Sequence, residues 1–316
     1  MRNKPADIPY GGLNADKIKN AQPKFHAKHK EMFEQFVRDR YTVHLNKDYY
    51  KTAKPWTNNP VLQNYKFTNV RREHDKTTIY LLNMLEANST ASYGDKIMNI
   101  ILFRLFNKIE TSQLMGWVNF SRYNEQSLRN KLLKADPGFV YFTNAFYTTG
   151  MRQGFRKCYP HEKFEPIIIA NVCNDMKRTI VRQLSGANTP QEAIDVLQLF
   201  NGVGDFLSYQ MFVDMTYLPE FPWSENEFVV SGPGCVNGLS ELFEDRDGLS
   251  YDELLFWLRD NCPITPDECK ELMVDLPEED RYMNLMSLEN CMCELSKYIR
   301  AVEGTGRPKN LYPGLV

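Results

Sequence analysis

An all-α fold is what this sequence predicts, and three observations predict it. Apolar residues recur at three- and four-residue spacings through segments 29–45, 70–88, 95–109, 162–185, 190–200, 204–217, 249–260, 265–275 and 284–303. Several of these segments carry helix punctuation: "TPQEAIDVL" and "PDECKELM" begin with Pro and early acids, and "LSGAN" ends on Gly. Strand-like patches are limited to "GFVYF" and "FVV", which are short and isolated.

Taken in order, 29–45 places Phe33, Phe36, Val37 and Tyr41 on one stripe. Segment 46–66, "NKDYYKTAKPWTNNPVLQNYK", has no strong period and two prolines, so it reads as a long ordered loop, a type that often carries function. Segments 70–88 and 95–109 resume the helical period, the second as the strongly apolar "IMNIILFRLFNKI". Helices over 190–200 and 204–217 flank the stretch "LFNGVGDFLSYQ"; a further helix over 249–260 follows, then two amphipathic helices with acidic faces in "PDECKELMVDLPEEDRY" and "SLENCMCELSKYIRAV". No internal repeat or Gly/Ser linker divides the chain. The expected organisation is a basic helical segment over 1–53, a helical core over 54–240, and an acidic helical region over 241–316.

The 316 residues, 42% hydrophobic and 25% charged, have the composition of a globular protein. The N-terminal stretch lacks the apolar core of a signal peptide, and runs such as "PIIIANV" are too short to span a bilayer, so no membrane partner and a cytoplasmic location are expected. Seven cysteines without framework spacing read as reduced thiols. Their C-x6-C and C-x-C spacings do not suit a metal centre, so no metal is assigned. The net charge of −2 conceals polarity: residues 1–183 hold 30 Lys and Arg against 16 Asp and Glu, and residues 184–316 hold 8 against 24. Such a chain either presents a footprint for a polyanion or neutralises itself internally.

Three stretches carry candidate chemistry. In "LFNGVGDFLSYQ", Gly202 and Gly204 sit between two helices, as in a helix-hairpin-helix whose second helix turns its N–H groups to a DNA phosphate; close helix packing is the alternative. A phosphate-binding loop is excluded, since G-x-x-x-x-G-K-[ST] occurs nowhere in the sequence. In "NVRREHDKTT", an α-helix would put Arg71 and Arg72 on the face of Asp75, setting two guanidiniums on a phosphate beside a proton acceptor; a solvated ion pair is the alternative. In "ILFRLFNKIET", Arg104 lies within an apolar run beside Asn107 and Lys108. A buried Arg there must meet an anion, from the protein or from a substrate.

The ordered set "PWT", "FTNVRREHDKTT", "ILFRLFNKIET", "FNGVGDFLSYQMFVDMTY" and "SGPGCVNGL" resembles the phage DNA base-hypermodification proteins over residues 54–240. These are the α-glutamyl/putrescinyl thymine pyrophosphorylases, or amino acid:DNA transferases, and the related helical domain of 5-hydroxymethyluracil DNA kinases. The resemblance implies a helix-hairpin-helix, DNA glycosylase-like fold with the acidic helical C-terminal region as an extension. It also implies work on 5-hydroxymethyluracil in phage DNA within the host cytoplasm, with DNA, an amino acid or polyamine, and a 5-hydroxymethyluracil DNA kinase as partners. In the transferase reaction an amine replaces pyrophosphate at the 5-methylene carbon.

For that reaction Arg71, Arg72, Arg104 and Lys108 would clamp the leaving group, and Asp75, with Asp214 as second candidate, would take the proton from the amine. A flipped base would stack on Trp56, Phe67, Trp117 or Tyr147 and be read by Asn69, Asn107, Asn144 or Gln210. Gly232 and Gly234 of "SGPG" would offer N–H groups to a second phosphate. No cofactor is required, and Mg²⁺ on the pyrophosphate is compatible. Two rivals remain: a non-catalytic module presenting modified DNA to a kinase, and a glycosylase. The second is disfavoured, because Asp205 and Ser231 stand where a glycosylase's lysine and aspartate are expected.

Overall fold

The computed structural model describes residues 10–122, 124–143, 179–199, 203–308 and 311–312. These are mostly helical, as the periodicity predicts. Two compact units make up the chain: residues 1–75 with 225–316, and residues 76–224. This division differs from the three consecutive segments read from sequence, because the chain leaves the first unit at Asp75 and returns to it at Glu225.

The discontinuous unit contains α1 (Ala15–Asn20), α2 (Ala27–His44), α3 (Pro60–Asn64), and then α10 (Pro233–Leu242), α11 (Tyr251–Asp260), α12 (Pro266–Leu272) and α13 (Leu285–Val302). α13 is its spine, packing on α2, α10 and α11. Leu285, Leu288, Cys291, Met292, Leu295 and Ile299 form its buried stripe. Its approach to α10 is close enough that a Cβ on Gly238 would come within 2.1 Å of the Met292 carbonyl oxygen. The anticipated start at "PDECKELM" forms a capping box, Thr265 with Glu268, and α11 begins with another, Ser250 with Glu253.

The basic N-terminal residues meet the acidic C-terminal ones inside this unit. Lys17 pairs with Glu253 at 2.6 Å, Lys28 with Glu303 at 2.5 Å, and Arg38 with Glu268. The unit holds 23 Lys and Arg against 27 Asp and Glu, and residues 76–224 hold 15 against 13. The polarity along the sequence therefore disappears in the folding units, which favours internal neutralisation over a polyanion footprint.

Residues 76–224 contain α4 (Lys76–Ala87), α5 (Tyr93–Phe106), α6 (Ile109–Met115), α7 (Glu125–Leu133), α8 (Pro190–Gln198) and α9 (Asp205–Met215). α5 is buried from Asp95 to Phe106, the burial expected of a helix apolar all round. Its polar residues are held internally. Asn99 bonds the Asp95 and Val118 carbonyls at 2.8 Å, and Asp95 accepts the Phe120 N–H at 2.8 Å.

Several local expectations are corrected. α5 does not continue to 109: Asn107 turns left-handed (φ 46°) and stops it, and α6 starts two residues later. The segment 46–66 is not all loop, since a π-helical turn, Leu45–Tyr49, extends α2 and Pro60 with Asn59 starts α3. "GFVYF" and "FVV" form no strand; the described strands are β1 (Lys24–Phe25) and β2 (Phe243–Asp245), paired antiparallel. Most of the predicted helix 162–185, with Asn144, Tyr147 and Gly202, lies outside the described residues. None of the described helices is long and apolar enough to cross a membrane.

Candidate functional site

The "NVRREHD" stretch does not form the helical face expected of it. Residues Arg72–His74 make a single 3-10 turn, Asp75 is extended, and α4 begins only at Lys76. Arg72 and Asp75 are thus brought near each other by a tight knot in the chain, without a shared helical face. The Asn69 backbone N–H donates to Asp75 Oδ1 at 3.1 Å, and the Asn69 side-chain amide donates to the His74 carbonyl at 2.7 Å. Arg40 of α2 reaches the Asn69 carbonyl at 2.7 Å, and Asn290 of α13 reaches the same oxygen at 2.8 Å.

The two arginines of the stretch differ. Arg71 is 1% exposed and donates to the Tyr282 carbonyl at 3.0 Å and to Glu73 at 2.9 Å. Arg72, also buried, places its charge near two carboxylates, Asp75 and Glu289 of α13. Burial pushes the Asp75 carboxyl above its ordinary value, against the Asn69 N–H and the charges of Arg72 and Arg40. Burial likewise raises Glu289 to about 7, against the Cys293 thiol, Arg72 and the Gly232 N–H. Two carboxyl groups with raised proton affinity thus flank one guanidinium, and Glu289 can take up and release a proton near neutral pH.

Glu289 also bears on "SGPG". Gly232 caps α10, but its N–H is directed at Glu289, and a Cβ on Gly234 would meet Cys293 Sγ at 3.3 Å. The helix start expected to receive a phosphate faces an internal carboxylate instead. Ser231 donates its N–H to Asp252 at 2.7 Å.

In residues 76–224 the anion demanded by Arg104 is Asp214. Arg104 Nε and Nη2 bond its two oxygens at 2.5 and 2.7 Å, and Nη1 bonds Asn107 Oδ1 at 2.8 Å. Arg104 is 2% exposed and Asp214 is fully buried. Leaving-group clamp and second proton acceptor, assigned separately from sequence, are thus each other's partners. Lys108 bonds the Val140 carbonyl and lies 4.7 Å over the Phe139 ring. Gln210 is buried on α9, and Gly204 caps that helix in the open, with Asp205 held by Gln198 at 2.8 Å.

Of the candidate stacking residues, Phe67 belongs to the core, edge-on to Phe36 at 5.3 Å. Trp117 is half-buried. Trp56 is half-buried, with its Nε1 on the Thr52 carbonyl at 3.0 Å, the Lys54 ammonium 5.0 Å over its ring and Tyr312 edge-on at 5.4 Å. Sequence reasoning missed Arg40, Glu289 and Asn290. The signal that marked Arg104, a charge set into an apolar stripe, was present for Arg40 in "EQFVRDRYTV" and for Glu289 in "LMSLENCMC".

A mostly helical chain with buried arginine–carboxylate sets and no nucleotide-loop motif in its sequence defines the class. The family model for the helical domain of 5-hmdU DNA kinases matches residues 27–307, and the chain belongs to that family. The match takes in the acidic C-terminal helices, which the sequence comparison had left outside the resemblance. A 5-hmdU DNA kinase of Bacillus phage SP10 is 26% identical over 263 residues, covering 78% of this chain and 41% of that protein. The chain thus corresponds to less than half the length of that relative. No solved structure matches.

Proposed function

We propose that this chain is the DNA-recognising helical component of a 5-hydroxymethyluracil modification system, and that residues outside these 316 carry out phosphoryl transfer. The observation that supports this reading is the extent of the match to the kinase helical domain, residues 27–307, in a sequence without G-x-x-x-x-G-K-[ST]. The test is fluorescence anisotropy on duplexes that differ only in carrying 5-hydroxymethyluracil or thymine. A preference of about tenfold, or 1.4 kcal/mol, is expected for the modified duplex. Equal affinity for the two duplexes overturns the reading.

A second reading, amine transfer to pyrophosphorylated 5-hydroxymethyluracil, is favoured by Asp75 alone. Its raised proton affinity beside Arg72 suits a group that takes the proton of an attacking amine, while the amine nitrogen bonds the 5-methylene carbon and pyrophosphate leaves. Incubation of pyrophosphorylated DNA with amino acids and polyamines, followed by nucleoside mass spectrometry, tests it. A new nucleoside with released pyrophosphate establishes transfer, and Asp75→Asn then abolishes turnover while DNA binding persists. No new nucleoside with any donor removes this reading, and abasic sites would indicate a glycosylase.

A further inference from the structure

On the far side of the "RREHD" knot, three elements converge on one point. α2 ends at His44, where the π-helical turn Leu45–Tyr49 takes over, an irregularity frequent at functional sites. His74 closes the 3-10 turn, and Asp275 follows α12. His44 Nε2 lies 2.8 Å from Asp275 Oδ2, and His74 Nε2 lies 3.3 Å from the same oxygen. One ligand atom from each residue falls within 4.8 Å of the others. Three donors at about 2.0–2.2 Å from one tetrahedral ion stand roughly 3.3–3.6 Å apart, so the 3.3 Å separation fits and the 2.8 Å one must open by about 0.5 Å.

The surroundings orient all three groups. The Tyr41 hydroxyl donates to Asp275 Oδ1, which leaves Oδ2 facing the imidazoles. Behind His44, Asp48 Oδ2 stands 3.5 Å from Nδ1, without a formed hydrogen bond but on the side where a carboxylate backs many metal-bound histidines. The rings of His44 and His74 are stacked, with centroids 3.9 Å apart and planes within 10°, so one imidazole must rotate for both Nε2 lone pairs to meet one ion.

Among the described residues, Nδ1 of both imidazoles is buried without a hydrogen-bond partner, so neither ring is fixed by a bond on that side.

We propose that His44, His74 and Asp275 form a site for a divalent transition-metal ion. Two imidazoles and a carboxylate select Zn²⁺-like ions over Mg²⁺ or Ca²⁺, and three protein ligands leave room for water or a substrate oxygen. Cysteine spacing gave no hint of it, since the ligands are two histidines from the first third of the sequence and an aspartate 231 positions beyond His44.

The chain, stripped with chelator and dialysed, is titrated with Zn²⁺ by calorimetry, with Mg²⁺ as control. One Zn²⁺ per chain and a raised thermal midpoint are expected. His74→Ala and Asp275→Asn should each weaken binding by about 100-fold, and Asp48→Asn by about 10-fold. Co²⁺ loading of the unaltered chain gives a readout independent of variant folding: visible ligand-field bands without thiolate charge-transfer absorption are expected. Absence of stoichiometric Zn²⁺ binding, thiolate bands with Co²⁺, or unchanged affinity in a folded His74→Ala chain overturns the proposal.

Discussion

In residues 76–224 the buried arginine is closed onto a carboxylate of its own chain, and the glycine-led start of α9 is left open. In the unit of residues 1–75 and 225–316 the glycine-led start is the closed one. There the glycine-led start of α10 is closed by Glu289, and Arg72 stands near two carboxyl groups that bind protons more tightly than usual. The same two features, a glycine before a helix and a buried arginine, thus stand in different settings. A buried cation or helix N-terminus requires a negative partner, but the local sequence leaves open whether that partner is part of the chain or a ligand.

The largest effect is expected where the closure is complete. Asp214→Asn leaves Arg104 buried without its counter-charge and should cost about 3–5 kcal/mol in urea unfolding. The double change Arg104→Met with Asp214→Leu should cost less than either single change, since no charge is then left uncompensated. Full stability together with lost turnover in Asp214→Asn would break the comparison and return Asp214 to proton transfer.

The Glu289 carboxyl gives the next test. The Glu289 carboxyl is raised from 4.5 to about 7, so the protonated form is the one that favours folding. Its contribution is fully present below about pH 4.5 and is lost as pH rises through 7. Glu289→Gln lacks this loss, so its stability relative to the unaltered chain should improve between pH 5 and pH 8, by up to about 3 kcal/mol. Thermal midpoints of both chains at the two pH values check it, and a constant difference would mean that Glu289 stays ionised throughout.

The helical class was legible because amphipathic periods and caps are local: Ser250 with Glu253 and Thr265 with Glu268 need four residues each. The need of Arg104 for an anion was legible too, but its partner lies 110 residues away on another helix, beyond any local pattern. The "RREHD" segment misled because a helical period continues through it; Asp75 instead accepts the Asn69 N–H, and that bond holds the chain extended where the helix would otherwise have begun. His44, His74 and Asp275 were invisible for the same reason as the Arg104–Asp214 pair, since only the packing of α2 beside the segment after α12 brings them together.

The smallest effects separate two glycines, Gly238 within α10 and Gly204 at the start of α9. A Cβ on Gly238 would lie 2.1 Å from the Met292 carbonyl oxygen, a backbone atom that cannot turn aside. Gly238→Ala must therefore push α10 off α13, at about 1–3 kcal/mol. At Gly204 nothing lies within 4 Å of the added carbon, and its φ of −99° suits any residue. Gly204→Ala should change stability by only about 0.5 kcal/mol, the slightly poorer cap offsetting the lower entropy of the unfolded chain. Because Gly204 is neutral for folding, it can report on ligand approach. If a DNA backbone comes close to this turn, the added methyl weakens DNA binding while the thermal midpoint stays put. Unchanged DNA affinity in Gly204→Ala would assign the turn to helix packing, and both helix starts would then serve the fold.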